Sequence, residues 1–435
     1  MPEASNSLDR ATARARRRLV PFLLLMYVVA FLDRANIGFA KQALHLSAGL
    51  SNATYAMGAG LFFLTYALFE VPSNLILHRV GARIWMCRIM VSWGLVSMAT
   101  LLVVGPRTFY AQRLLLGIAE AGFFPGVILY LSYWFPNHIR GHILGLFYFG
   151  APLAFIAGGP LSGLLLQMPT RLGLQGWQWM FLIEGLMAVA VGIWAYTYLG
   201  DKPQDASWLP DDEKQSLLAV LHDEEETRRS HGSSSFCAVL TDRRVLHYFA
   251  IYFLLQMSVY GVVFYLPTEI AALLHKSVGT EVGFVSAIPW GCALVATFYI
   301  SRAADRHAAH RQLAAYSLLA AGCASVLFPT SGPMIALMAL CIAASGLIAA
   351  QPLFWTFPTN YLSGTAAAGG IALINAMGAL GGFVAPNAKV WADVHFGSDR
   401  AGLYLLAILT LCNALLIAFV RQRPSSLNKL ASAVD

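Results

Sequence analysis

Apolar runs of about twenty residues alternate with short polar turns along almost the whole chain. A helix of about twenty apolar residues crosses the hydrocarbon core of a bilayer. Twelve such segments are found, near 19–40, 55–78, 84–104, 108–135, 141–167, 177–199, 245–273, 280–301, 311–330, 333–358, 365–390 and 401–421. Between the sixth and seventh lies the one long polar stretch, residues 200–244. Its "LPDDEKQSLLAVLHDEEE" predicts a short amphipathic surface helix, with Pro210 and acidic residues at its start. The following "SHGSSS" reads as flexible linker. The pattern predicts an all-α integral membrane protein with twelve transmembrane helices in two six-helix bundles. Its parts are a basic cytoplasmic N-terminus (1–18), a first bundle (19–199), a cytoplasmic linker (200–244), a second bundle (245–421) and a cytoplasmic tail (422–435).

Composition narrows the class. Of 435 residues 58% are hydrophobic and only 12% charged, about half the charged share of soluble domains, near 25%. The net charge of +7 is spread over short loops, which excludes a nucleic-acid face and leaves the lipid bilayer as the partner. "RATARARRR" precedes an apolar stretch too long for a signal peptide and without an A-x-A site, so a retained first helix is expected. Six cysteines show no CxxC or Cys/His spacing, and neither disulfide, metal nor cofactor is expected.

Charge also orients the chain. With the N-terminus inside, cytoplasmic segments hold most of the Lys and Arg, among them Arg14, Arg16, Arg17, Arg18, Arg79, Arg83, Arg243, Arg244, Arg302 and Arg306. The opposite loops hold few: Lys41, Arg107, Arg171, Lys276, Lys389 and Arg400. By the positive-inside rule both termini and the linker are expected in the cytoplasm of a plasma membrane.

Six charges stand out inside the apolar segments: Asp33, Arg34, Glu70, Arg113, Glu120 and Glu184. Each costs at least ~2.5–3.5 kcal/mol at the bilayer centre, so such residues pair, line a water-filled path, or both. At ~1.5 Å per residue, Asp33 lies about 21 Å into a core of about 30 Å, and Arg113 about 8 Å from the opposite side. The two share a level and are expected to form an ion pair. Neighbours on a helix point about 100° apart, so Arg34 is left for another contact. Its planar fork suits a substrate carboxylate. Glu120, near the midplane and with no equally close arginine at its level, is the expected proton carrier. Glu70 fits a gate or packing role, Glu184 a structural one, and Arg113 with Glu120 also fits a helix-packing network. The second half offers neutral candidates, Gln256, Tyr260, Gln351, Trp355 and Asn375, with Tyr66 in the first half at the same depth. Ion handling thus belongs to the first bundle and shape recognition to the second.

Two short basic turns, "LHRVGAR" after the second segment and "AADRHAAHR" after the eighth, stand at matching places in the two halves. Parallel six-helix half-repeats are the pattern of major facilitator transporters. Arg79, Gly81 and Arg83 fit that superfamily's G-x-x-x-D-R-x-G-R/K turn, but Asn74 and His78 replace its glycine and aspartate; the second copy keeps Asp305 and Arg306. "FLDRANIGFA", "FEVPSNLILHRVGAR", "RLLLGIAEAGFFPGVILYLSYWFP", "GWQWMFLIEG" and "GTAAAGGIALINAMGALGGF" together resemble the superfamily's anion:cation symporters, nearest the bacterial permeases for tartrate, phthalate and hydroxyphenylacetate. The resemblance implies a monomeric carrier taking up an organic carboxylate with protons. It implies Asp33 and Glu120 as proton-coupling acids, Arg113 as partner of the helix-1 acid, and Arg34, Tyr66 and Asn375 in the substrate site. Ala151 stands where some sugar-acid carriers of the family have glutamine, which favours a smaller or aromatic acid. "GGPLSG" at 158–163 is faintly similar to an antiporter motif, so an exchanger or efflux carrier of the same fold is the alternative. An enzyme is disfavoured: the eleven histidines lie mostly in loops, and no H-E-x-x-H, Walker or G-x-S-x-G sequence occurs.

Overall fold

A computed structural model describes residues 2–230, 242–330, 332–362 and 364–420. Most of the expected flexible linker and the tail after 421 lie outside the described residues. In the first half, α1 spans Pro2–Ala48, α2 Asn52–Val80, α3 Ala82–Met98, α4 Pro106–Glu120, α5 Phe123–Trp134, α6 Asn137–Tyr148, α7 Gly150–Leu166 and α8 Gly176–Tyr198. The linker carries α9, Asp211–Ser230. In the second half, α10 spans Arg243–Leu274, α11 Thr280–His307, α12 His310–Leu327, α13 Pro333–Tyr361, α14 Gly364–His395 and α15 Ala401–Ala418. Twelve spans are long and apolar enough to cross a membrane, with α4–α5 and α6–α7 each counting as one. Their outer faces carry large exposed apolar side chains such as Leu68, Leu75, Leu102 and Leu415, the surface expected toward lipid.

Three local features differ from the sequence reading. First, the first helix begins well before residue 19: the basic N-terminal segment is the start of α1, which docks on α9. Ser7 Oγ meets Ser216 Oγ at 2.7 Å, Arg10 pairs with Asp212 at 3.3 Å and Arg14 with Glu213 at 2.9 Å. Ala11 and Ala15, one turn apart, are fully buried, so the arginines mask an apolar stripe. α9 also reaches the fifth span, where Glu224 accepts from the backbone N–H of Asn137 at 2.8 Å.

Second, the fourth span is not one helix. It breaks directly after Glu120, where Ala121 is extended and Gly122 is left-handed with φ 87°. Pro125 has no N–H to give the Ala121 carbonyl four residues back. Ser73 Oγ on α2 donates to that carbonyl at 2.7 Å instead. Third, the fifth span is interrupted between Tyr148 and Gly150; Pro152 leaves the Tyr148 carbonyl without its helical donor in the same way.

The halves meet at the end remote from α9, called here the far end. α7 and α11 approach backbone to backbone, and a Cβ added to Gly159 would lie 2.5 Å from the Gly283 carbonyl oxygen. Gly163 stands likewise against Gly279, and Gly60 on α2 against the Phe383 carbonyl on α14. "GGPLSG" is therefore a packing seam between the halves. Polar contacts cross it as well: Thr280 Oγ1 donates to Gln167 Oε1 at 2.5 Å, and Lys41 on α1 lies 4.7 Å over the Tyr265 ring on α10. Lys389, expected in a loop, is buried on α14 and paired with Asp393 at 2.7 Å. Gly159→Leu is expected to block this seam, leaving a protein that purifies but shows no counterflow in proteoliposomes. Wild-type counterflow would show that the seam does not have to close.

Candidate functional site

With the far end sealed, the halves diverge toward the α9 end and enclose a cavity of about 640 Å³. Its floor, near mid-membrane, is formed by Arg34, Tyr66, Tyr260, Gln256 and Asn375; its mouth by His142, Arg302, Asp305 and His310. Between them the walls are mostly aromatic and aliphatic, with Tyr27, Phe31, Phe63, Phe124, Tyr148 and Ala151 among them. Volumes of ~300–1,000 Å³ with few polar groups in an apolar wall are typical of small-molecule sites.

Arg34 is the centre of the floor. Its Nε donates to Glu120 Oε1 at 2.8 Å and one terminal nitrogen to the same oxygen at 2.5 Å. The other terminal nitrogen donates to the Tyr260 hydroxyl at 3.0 Å, joining the first half to the second. The guanidinium lies 5.1 Å over the rings of Phe31 and Tyr66 and 5.6 Å over Phe62. Glu120 is fully buried, and its Oε2 meets no hydrogen-bond donor. The sequence reading gave Glu120 no arginine at its level; the structure places Arg34 there. Glu120 is the last residue of α4, and from there its carboxylate meets the Arg34 guanidinium of α1.

The expected Asp33–Arg113 ion pair is not formed within 4.0 Å. Asp33 Oδ1 accepts instead from Ser97 Oγ on α3, and from Asn36 Nδ2 at 3.4 Å. Arg113, 2% exposed, stacks 5.0 Å over Phe62, and its Nε has no hydrogen-bond partner. The depth estimate thus brought the two charges together, but it could not foresee a serine on α3 taking the contact. Glu184 belongs to the same buried region of the first half, where Ser162 Oγ donates to its Oε1 at 2.8 Å. None of Asp33, Arg113 and Glu184 lines the cavity.

In the second half, Gln256 lines the cavity and its Nε2 donates to the Tyr252 hydroxyl at 2.8 Å. Asn375 also lines it, and its Nδ2 donates across the interface to Glu70 Oε1 at 2.8 Å. Trp355 is not on the wall. It packs edge-on against Tyr252, ring centroids 4.9 Å apart, and so supports a wall residue from behind. Its neighbours Gln351 and Thr356 are the polar α13 residues that reach the cavity, beside Ile348, Pro352 and Leu353. The aromatic positions Tyr27, Phe31, Phe124 and Tyr148 carry no signal in the sequence, because any apolar helix holds such residues. The α4–α5 break, which the sequence reading took as one span, has its signal in the Gly122–Pro125 pair.

The two basic turns sit at the α9 end. Gly81 closes α2 with φ 98°, a left-handed value that favours glycine. The Arg83 backbone N–H donates to Asp201 Oδ1 at 2.8 Å, a carboxylate after the sixth span that caps α3. His78, in place of the motif's aspartate, meets the Tyr133 hydroxyl at 2.9 Å. In the second copy Asp305 holds His310 at 2.9 Å, while Arg306 and Arg79 are exposed. Among the described residues no ion pair joins the two turns.

Comparison with known proteins agrees with this architecture. The family model of the Major Facilitator Superfamily matches residues 23–386. The inner membrane transport protein RhmT of Escherichia coli (strain K12) is 47% identical over 414 residues, covering 95% of this chain and 96% of RhmT. A protein of Agrobacterium vitis named "Putative tartrate transporter" is 42% identical over 426 residues, covering 97% and 94%. Among solved structures, the inward-open conformation of the xylose transporter XylE from E. coli superposes with a TM-score of 0.72 at 15% identity, covering 96% of this chain and 99% of that one. The chain belongs to the Major Facilitator Superfamily and is a twelve-span membrane transporter.

Proposed function

We propose that this transporter takes up a small organic carboxylate together with protons, by alternating access across a bacterial inner membrane. The distribution of Lys and Arg supports the α9 end as the cytoplasmic end, and the arrangement with the far end sealed is then inward-facing. The observation that carries the reading is the Arg34–Glu120 pair on the cavity floor. A substrate carboxylate and the Glu120 carboxylate compete for one guanidinium. Leaving Glu120 charged, buried and without its arginine would cost about 3–5 kcal/mol. Substrate therefore binds best when Glu120 takes up a proton and releases Arg34. Tyr260, which accepts from Arg34, keeps its own O–H free to donate to the bound carboxylate. The Tyr66 ring, 5.1 Å from the guanidinium, stabilises the cation through its π face. Asp33 is the second proton-coupling acid, set off the cavity beside Arg113. With a monovalent anion and two protons, one net positive charge moves inward, and 100 mV then contributes about 2.3 kcal/mol to accumulation.

The cargo is a tartrate-, phthalate- or hydroxyphenylacetate-like anion. The tartrate name of a relative at 42% identity supports a carboxylate. The largely apolar wall, with Ala151 and Tyr148 on it, suits a compact or aromatic body. The test is uptake of labelled tartrate, phthalate and 4-hydroxyphenylacetate into proteoliposomes under an inward pH gradient. Accumulation of at least one that collapses with the gradient is expected. Exchange that ignores the gradient would make the protein an organic-anion exchanger instead, and no flux of any acid would refute the carboxylate reading.

A further inference from the structure

Glu70, for which the sequence suggests a gate or packing role, has no part in the Arg34–Glu120 exchange. It is fully buried on α2, one turn toward the cytoplasm from Tyr66, and among the described residues no cation pairs with it within 4.0 Å. Its Oε1 accepts from Asn375 Nδ2, and its Oε2 meets no donor. This bond fixes the orientation of the Asn375 amide. The nitrogen points into the helix interface toward Glu70, and the carbonyl oxygen is left for the cavity that Asn375 lines. Among the described residues no donor meets that Oδ1, and it is not closed off from the cavity. Against an ionised Glu70 the reverse orientation would set acceptor against acceptor, and a protonated Glu70 can keep the observed bond through its carbonyl oxygen.

An amide nitrogen at this place would attract a second carboxylate. An amide oxygen repels one and accepts from O–H. We propose that Glu70 is a specificity-determining positioning residue: by holding Asn375 with its oxygen toward the cavity, it makes the site read a hydroxyl on the substrate opposite the carboxylate bound at Arg34. The cargo class is then a hydroxycarboxylate, with one carboxylate on the cationic side of the floor and a hydroxyl donor on the Asn375 side. This inference rests on the carboxylate reading of the site. It adds the second point of recognition, contributed jointly by α2 and α14 from opposite halves. Because the bond spans the interface, the site is complete only when both halves are in place.

The experiment compares matched ligand pairs on the purified full-length transporter by calorimetry: 4-hydroxyphenylacetate with phenylacetate, and tartrate with succinate. In the wild type the hydroxylated member of a binding pair is expected to bind about tenfold tighter, the worth of one good hydrogen bond. Gln at position 70 can offer its amide N–H to the Asn375 oxygen and turn that amide round. Glu70→Gln should therefore lose most of the ratio while the deoxy acid binds as before. A residue that only supports packing would weaken both members equally. Asn375→Leu, isosteric and without an acceptor, reports the same ratio should Glu70→Gln not fold. Equal binding of both members in the wild type, or an unchanged ratio in both variants, overturns the proposal. If deoxy and hydroxylated acids alike fail to bind, the carboxylate reading itself has failed.

Discussion

Arg34→Ala is expected to abolish both gradient-driven accumulation and counterflow, with carboxylate affinity down by more than about a hundredfold. The substrate loses its cation, and the Tyr260 contact between the halves goes with it. Arg34→Lys separates charge from geometry. It keeps a cation but offers a point charge in place of a planar fork. At present the fork divides its donors, two nitrogens toward Glu120 and one toward Tyr260. Losing one charged hydrogen bond weakens binding by roughly tenfold to a hundredfold, so Arg34→Lys should sit between wild type and Arg34→Ala. Titration of the same acid against all three proteins checks the order. Wild-type affinity in Arg34→Lys would mean that the carboxylate is bound elsewhere.

Glu120→Gln is expected to separate the two transport activities. Glutamine imitates the protonated acid and gives up the competition for Arg34. The variant should bind substrate, exchange it across the membrane and no longer accumulate it under a pH gradient. Its affinity should also be insensitive to pH through this site, whereas that of the wild type should fall as the pH rises and Glu120 reclaims the guanidinium. Uptake with a gradient and counterflow without one, measured on the same liposomes, give both answers. Accumulation at the wild-type level by Glu120→Gln would remove Glu120 from the coupling scheme.

The spans were legible because bilayer thickness imposes one length on them, and the gaps between them are polar. The functional charges were legible because a charge in an apolar run is costly and therefore conspicuous: Arg34 and Glu120 both stood out on that ground. Which charge meets which was not. Pairing depends on how the helices are rotated against one another, which brings Glu120 on α4 to Arg34 on α1. Small hydroxyls hid best. Ser97 takes Asp33 from Arg113, and Ser73 secures the broken helix, yet a serine in a membrane helix carries no signature that separates such roles from packing. Glu70 and Asn375 were each visible alone, on segments far apart in the chain. Only the contact between α2 and α14 shows that they act on one another. The docking of the N-terminal segment on α9 was hidden for a different reason. Its arginines dominate a reading by charge, and the short alanine stripe beneath them is too small to register as an amphipathic face.

The central claim is that substrate and proton exchange places at Arg34. Proton uptake on ligand binding tests it most directly, with purified transporter in weakly buffered detergent, a pH indicator and saturating carboxylate near neutral pH. The wild type should take up protons as the carboxylate binds, and Glu120→Gln should bind the same acid with about one proton fewer, since a carboxylate that yields its arginine must be neutralised. Binding to the wild type without proton uptake, or identical uptake by both proteins, would contradict the exchange at Arg34.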